Sequence, residues 1–324
     1  MNSTRNTILI LGAFLATALT AYAAEDFTLH VSPKNPGPNQ TVEAEVISFT
    51  FDAHRANIRW FANDKEISSG VGRTIEHFKT GPSGSALTIK ALVTSGGARL
   101  QNSVTFHVND IDLMVYAQTY TPVFYRGLPL PTPGAPVEIY AIPHMFSGGV
   151  NVAPQSLIYE WSVDEILDDA GSGGGKNKFV MPLGDIRNRE IPVSVRVSTL
   201  SGKSIGTKTI VVRTVEPMVL FYGFSDLVGI KPIAGTTFTI APGGQSSILG
   251  EPYFLSNESV KTALTQWETE GQTIALNQLN PRLLTVQAPA TGGRPTLFSF
   301  STKDPQHIFQ EIEDTLTVQT RETQ

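Results

Sequence analysis

The chain of 324 residues contains no cysteine. No thiolate can therefore act as nucleophile or metal ligand, and no disulfide can staple the fold. Apolar runs of membrane-spanning length are missing beyond the first two dozen residues. Blocks of like charge are missing as well: 24 Lys and Arg are scattered among 29 Asp and Glu, for a net charge of -5. A nucleic-acid partner needs a basic face that displaces counterions from phosphates, and anionic lipid needs a polybasic segment, so neither is expected. Sustained apolar spacing at i, i+3 and i+4 is absent outside the N-terminal leader, while 28 Gly and 21 Pro punctuate the chain at short intervals. Long helices are thereby excluded and an all-β chain follows.

The first residues read as an export leader. Arg5 supplies a positive n-region, Ile8 to Leu19 an apolar stretch, and Ala21-Tyr22-Ala23 a small-x-small site for signal peptidase. The expectation is a signal peptide over 1–23, cleaved after Ala23. Retention as an anchor is the alternative, although a run of about 17 residues broken by Gly12, Thr17 and Thr20 is short for a bilayer. No cysteine stands near the site to take a lipid. Loss of Arg5 leaves the mature chain one unit more negative. Without disulfides, an exported fold must rest on apolar burial alone.

What the chain does contain is a repeat. Its 3 tryptophans, Trp60, Trp161 and Trp267, stand roughly 100 residues apart, the length of an immunoglobulin-type β-sandwich. Each ends a short alternating run and is followed by a polar turn such as Asn63-Asp64-Lys65. In the first repeat, Phe27 to Val31, Thr41 to Ile47, Ile58 to Ala62, Ala86 to Val93 and Val104 to Val108 read as strands, the last two joined by Ser95-Gly96-Gly97. In the second, Val137, Ile139 and Ala141 form an inward row, Ile158 to Val163 surround Trp161, and Pro192 to Thr199 with Ile205 to Val212 close the unit around Ser201-Gly202-Lys203. The third runs Ile248 to Leu255, Ala263 to Trp267, Leu283 to Val286, Leu297 to Phe300 and Ile312 to Val318. The expected organisation is three tandem immunoglobulin-like or PKD-like β-sandwich domains, over 24–110, 111–215 and 216–320, then a polar tail at 321–324. Junctions at Asn109 to Asp112 and Val215 to Pro217 are short, which predicts a stiff rod.

Chemistry is harder to find. His30, His54, His77, His107, His144 and His307 are dispersed, and none stands in a paired metal-binding spacing. Gly171-Ser172-Gly173-Gly174-Gly175-Lys176 resembles a phosphate loop only superficially, since Ala170 and Asn177 occupy positions that need Gly and Ser or Thr; it reads as a flexible or tightly turned connection. Asp164, Glu165, Asp168 and Asp169 read as a solvated acidic turn, with a weak calcium site as the alternative. No Gly-x-Ser-x-Gly elbow occurs. No cofactor, catalytic residue or metal ligand is assigned. The aromatic stretch Tyr116, Tyr120, Phe124 and Tyr125 is the candidate for a partner surface or an inter-domain contact, because aromatic rings dominate both. Its place after the first junction, matched by Phe221-Tyr222-Gly223-Phe224 after the second, suggests rings that weld the first domain to the second.

Several segments carry a family resemblance: Pro33 to Val46 with Ile58-Arg59-Trp60, Gly70-Val71-Gly72, Tyr120 to Gly127, Leu157 to Trp161 with Gly171-Ser172-Gly173, and Glu251-Pro252-Tyr253-Phe254 before Trp267. On these the mature chain resembles secreted bacterial proteins with tandem immunoglobulin-like, PKD-like domains and no assigned activity. Asn277-Gln278-Leu279 departs from the Gly-x-Gly of the first two repeats, and no repeat carries the cysteine pair or tyrosine corner of antibody domains. The resemblance implies a noncatalytic structural or adhesive protein outside the cell, at a bacterial surface or in a pilus-like assembly. Its partners would be other surface or pilus proteins, or glycans. A carbohydrate-binding module is the alternative, and a hydrolase with a site between domains is a third reading.

Overall fold

The computed structural model describes residues 27–321 apart from 148–149, 186, 203–204 and 292. The leader at 1–23, its cleavage site, Lys203 and the tail beyond Arg321 lie outside the described residues.

The first set of strands is β1 (Thr28–Ser32), β2 (Thr41–Ile47), β3 (Asn57–Ala62), β4 (Lys65–Val71), β5 (Ile75–Lys79), β6 (Ala86–Ser95) and β7 (Ala98–His107). They form two sheets, ordered β1-β2-β5 and β4-β3-β6-β7. The period of two decides which side chains face in: along β3, Ile58 and Trp60 are buried while Asn57 and Arg59 are exposed. Leu29, Ala44, Val46, Phe78, Ile89, Ala91 and Val93 are buried with them.

The second set is β8 (Asp110–Ala117), β9 (Val137–His144), a small hairpin of β10 (Phe146–Ser147) and β11 (Val150–Asn151), then β12 (Leu157–Val163), β13 (Ile166–Gly174), β14 (Lys178–Met181), β15 (Glu190–Thr199) and β16 (Ile205–Arg213). Its main sheets repeat the first set's order, β14-β9-β8 and β13-β12-β15-β16. Between them lies one core containing Ile139, Tyr159, Trp161, Phe179, Val193, Val195 and Val212.

The third set is β17 (Met218–Ser225), β18 (Gly229–Ala234), β19 (Thr237–Ile240), β20 (Gln245–Tyr253), one helical turn α1 (Ser259–Thr262), β21 (Leu264–Thr269), β22 (Gln272–Thr273), β23 (Leu283–Gln287), β24 (Thr296–Lys303) and β25 (Glu311–Thr320). Here the orders are β18-β17-β20-β23 and β19-β25-β24-β21-β22. Two features are added to the common plan. An extra hairpin strand, β18, widens the first sheet, and β19 pairs in parallel with the last strand, Thr237 opposite Thr317 through Ile240 opposite Thr320.

The chain falls into two compact units. Among the described residues, the first takes in those up to Ser32, Glu43–Phe78 and Thr88–Thr105; the second takes in Pro33–Val42, Lys79–Leu87 and those from Phe106 onward. The second and third sandwiches thus belong to one unit.

Candidate functional site

Each tryptophan sits on the third common strand of its sandwich, almost wholly buried, against an aromatic neighbour: Trp60 on Phe78 at 5.9 Å, Trp161 stacked on Phe179 at 5.3 Å, Trp267 on Phe300 at 4.8 Å. Behind each comes a two-residue turn in the left-handed region, Asn63 and Asp64 (φ 47° and 65°), Asp164 and Glu165 (49° and 66°), Glu270 and Gly271 (49° and 75°). These are the φ signs that a tight hairpin with right-handed twist requires.

A buried indole N–H needs an acceptor, and two sandwiches supply one from the same kind of turn. Trp60 Nε1 donates to the Arg73 carbonyl at 2.8 Å and Trp161 Nε1 to the Lys176 carbonyl at 3.0 Å. The carbonyl is aimed by a preceding glycine, Gly72 or Gly175, both at φ +69°. Gly72 N–H donates to Ala56 O at 2.9 Å and Gly175 N–H to Leu157 O at 2.8 Å. The glycine-rich run that looked like a phosphate loop is therefore mostly strand β13, ending in a turn that clasps Trp161. Of the flexible or tightly turned connection expected from composition, the tight turn is present at Gly175 and Lys176, while the residues before it are strand. The third sandwich lacks this clasp: Asn277 Oδ1 accepts the N–H groups of Leu279 and Asn280 and closes its own loop. Trp267 Nε1 is buried without an acceptor among the described residues.

The aromatic stretch after β8 has a different place from the one its position suggested. Tyr116 stays on β8, 42% exposed and in no aromatic ring pair among the described residues. Tyr120, Phe124 and Tyr125 lie in the loop between β8 and β9, and that loop docks on the third sandwich rather than welding the first to the second. The backbone itself makes the junction: Tyr120 N–H donates to Leu255 O at 2.6 Å, Phe254 N–H to Tyr120 O at 2.7 Å, and Asn257 N–H to Gln118 O at 3.0 Å.

Side chains then fill the junction. Tyr125 packs edge-on against Tyr253 at 5.5 Å and Phe254 at 5.9 Å, and Phe124 against Tyr222 at 5.4 Å. The Tyr222 and Tyr253 hydroxyls bond at 2.7 Å. Tyr120 donates its hydroxyl to Glu251 Oε1 at 2.6 Å, and Arg282 reaches the same oxygen at 2.9 Å, its guanidinium 5.6 Å from the Tyr120 ring. Thr132 donates to Phe254 O at 2.8 Å, while Gln310, fully buried, spans the joint from Pro133 O to Ser256 N–H at 2.5 Å each. Burial and Glu251 push the Tyr120 phenol above its ordinary pKa, and burial with Tyr222 does the same to Tyr253. Both stay protonated at neutral pH. Phe254 holds φ at +65°, a conformation that bulky residues adopt only when surroundings over-determine it, and here both its N–H and its carbonyl are held by the loop.

Other residues with reactive side chains are in part engaged. The His77, His144 and His307 rings pair with Glu43, Asp112 and Asp304, while His30, His54 and His107 are exposed. Asp164 bonds Arg189, and Asp168 accepts the Gly171 N–H at 2.6 Å. Among the described residues no group of three His, Asp or Glu is placed to hold a metal. Ser259, Asp304 and His307 do converge, but the carboxylate stands between the other two. A hydroxyl nucleophile needs the imidazole beside it, so this order does not activate Ser259. Burial would raise the Asp304 carboxyl, yet the Gln306 N–H, the Ser259 hydroxyl and His307 outweigh it and hold the pKa at about 2. Sequence patterning marked Glu251 only as part of Glu251-Pro252-Tyr253-Phe254 and gave no role to it or to Arg282, Thr132 or Gln310, because each is an isolated polar residue whose partner lies far along the chain.

The repeated strand order with a central tryptophan makes the chain an array of three tandem immunoglobulin-like β-sandwiches. No protein-family model and no curated protein matches it. Among solved structures it is similar to the three N-terminal domains of the Highly Immunogenic Outer Capsid protein of bacteriophage RB49, at 12% identity over 93% of this chain and 100% of that one, TM-score 0.26. It is similar also to the central fibronectin-III array of RIM-binding protein, at 10% identity over 91% and 96%, TM-score 0.33. A third is the mixed-linkage glucan utilization locus protein SGBP-B of Bacteroides ovatus, solved with a heptasaccharide, at 11% identity over 92% and 71%, TM-score 0.24. At such identities and scores these likenesses carry no functional argument; the fold class rests on the strand orders. No described helix is long and apolar enough to cross a membrane.

Proposed function

We propose that the chain is a noncatalytic extracellular array, structural or adhesive, that holds partner-binding surfaces in fixed relation at a cell surface or in a pilus-like assembly. The observation that supports this most is the joint between the second and third sandwiches. It uses four tyrosines, a buried Glu251 and a fully buried Gln310 to fix one domain against the next, which a string of independent binding modules would not need. Export of the leader-bearing chain belongs to the same proposal. The joint also packs Tyr125 edge-on against Tyr253 and Phe254 and sets the Arg282 guanidinium over the Tyr120 ring, so these two rings are engaged within the chain, which weighs against the sugar-binding reading.

Protease shaving of intact producing cells, followed by immunoblotting, tests the location, and attachment by cells lacking the gene tests the role. The expected results are a shaved protein and weakened attachment or surface assembly. A protein found only inside the cell, or deletion without effect on either property, overturns the proposal.

A further inference from the structure

In the third sandwich one edge strand stops short of its counterparts. Behind the tryptophan turn, β4 runs for 7 residues along β3 and β13 for 9 along β12, and each leads into the glycine turn whose carbonyl caps the indole. The corresponding strand β22 has 2 residues. It pairs Thr269 with Gln272 and Glu268 with Thr273, and Ile274 adds one further bond, its N–H on the Trp267 carbonyl at 2.8 Å. Leu264, Thr265 and Gln266 pair with β24 on one side and, among the described residues, with no strand on the other. At the same place the Trp267 N–H is buried without an acceptor.

The residues that would complete the strand follow directly but turn away from it. Ala275 to Pro281 are all exposed, Leu279 at 98%. Asn277 Oδ1 gathers the N–H groups of Leu279 and Asn280, and Asn280 Oδ1 takes that of Arg282 at 3.1 Å. These bonds are exposed, so water competes for them and each holds the turn only modestly. Both ends of the segment are fixed: Ile274 packs on the core, and the Arg282 carbonyl accepts the Gly250 N–H at 2.9 Å while its guanidinium holds Glu251. Continued in the register of β22, Leu276 would stand opposite Thr265 on the face that Trp267 and Ile274 share, because side chains alternate. Counted from the tryptophan, Leu279 to Pro281 hold the places of Gly72 and Gly175.

We propose that Ala275 to Pro281 form a strap with two states: the open one just described, and a closed one in which the strap continues β22 along β21, carries Leu276 onto the core face and gives the Trp267 N–H a backbone carbonyl. Closure covers the bare edge of β21, the kind of edge that otherwise invites pairing with another chain. What opposes it is the Asn277 turn, together with the lack of a glycine where the other sandwiches use one at positive φ to aim the capping carbonyl. The open state therefore leads, and the closed one is a minor population of about 0.1–10%. The inference concerns the third sandwich alone and is independent of where the array works.

The test follows exchange with water of the indole N–H groups of the 3 tryptophans in the full chain by nuclear magnetic resonance. Asn277→Ala removes the acceptor that keeps the strap open. It should slow exchange at Trp267 by about tenfold or more, slow the amides of Ala275 to Asn277 with it, and leave Trp60 and Trp161 unchanged. Adding Leu276→Asp, a charge that cannot be drawn onto the core face, should restore the parent's rate. Both substitutions are at exposed positions, so the fold is kept. A Trp267 N–H insensitive to Asn277→Ala, as capping by water would leave it, overturns the proposal. So does slowing that survives Leu276→Asp, slowing shared by all three indoles, or slowing at Trp267 without protection of Ala275 to Asn277.

Discussion

The clasp on the buried indole sets up a comparison inside one molecule. Replacing tryptophan by phenylalanine removes roughly 40 Å³ of side chain, a cavity cost of about 1 kcal/mol at a few tens of cal/mol per Å³. In the first two sandwiches it also removes a hydrogen bond, Trp60 to Arg73 O at 2.8 Å and Trp161 to Lys176 O at 3.0 Å, which adds about 1 kcal/mol. In the third the indole N–H is buried without an acceptor. Removing an unsatisfied donor relieves about 1 to 3 kcal/mol of desolvation penalty. Trp60→Phe and Trp161→Phe should therefore each cost about 2 kcal/mol, while Trp267→Phe should be close to neutral or stabilising. Hydrogen exchange in rising urea, read separately at β3 and β6, β12 and β15, and β21 and β24, resolves the three sandwiches without relying on tryptophan fluorescence. If Trp267→Phe destabilises its sandwich as much as the other two, the clasp contributes nothing and the reasoning is refuted.

Gly72→Ala places a Cβ 2.6 Å from the His54 carbonyl oxygen at φ +69°, whereas Gly96 at φ +56° faces open space. Gly72→Ala should cost about 2 kcal/mol or more and Gly96→Ala about 1, a difference read from urea midpoints. Tyr120→Phe takes away one of the two groups bonded to the buried Glu251 and should loosen the joint. The chain has no native cysteine, so spin labels at Val180→Cys and Leu264→Cys report on it cleanly, and an unchanged distance distribution would count against the joint's role. Asp304 has its folded pKa depressed to about 2, below an unfolded value of about 3.9. Its stabilising contribution is thus full above pH ~4 and lost as pH falls toward ~2. Acid titration of Asp304→Asn should show that part of the pH dependence gone.

Much of this molecule is local in origin. Alternation along segments such as Thr41–Ile47 and Asn57–Ala62 dictates strands with one face buried, because side chains project with a period of two. The turn after each tryptophan is written in Asn, Asp, Glu and Gly, the residues found there in the left-handed region. A core without disulfides follows from composition. Even the missing Gly-x-Gly of the third repeat was visible, though its consequence was not: the acceptor it deprives is a carbonyl, which every sequence position has, and only the fold shows which carbonyl reaches the indole.

What the chain could not declare is anything made by pairing distant residues. The glycine-rich run became strand rather than loop because β12 offered it a partner, and edge pairing outweighs weak local propensity. The aromatic loop was recognisable as a contact surface, but its partner depended on where Phe254 to Asn257 arrive in space, more than a hundred residues further on. Likewise, β16 and β25 are similar strands in sequence, and only the fold shows which separate segment returns to lie beside each: β19 along β25, and Pro131, whose carbonyl meets the Val215 N–H, just past β16. Side-chain period and turn chemistry are properties of neighbours along the chain and so are fixed by sequence. Which edges meet, which polar groups find partners and which sandwich an aromatic loop grips depend on loop closure and packing, and these only the tertiary structure decided.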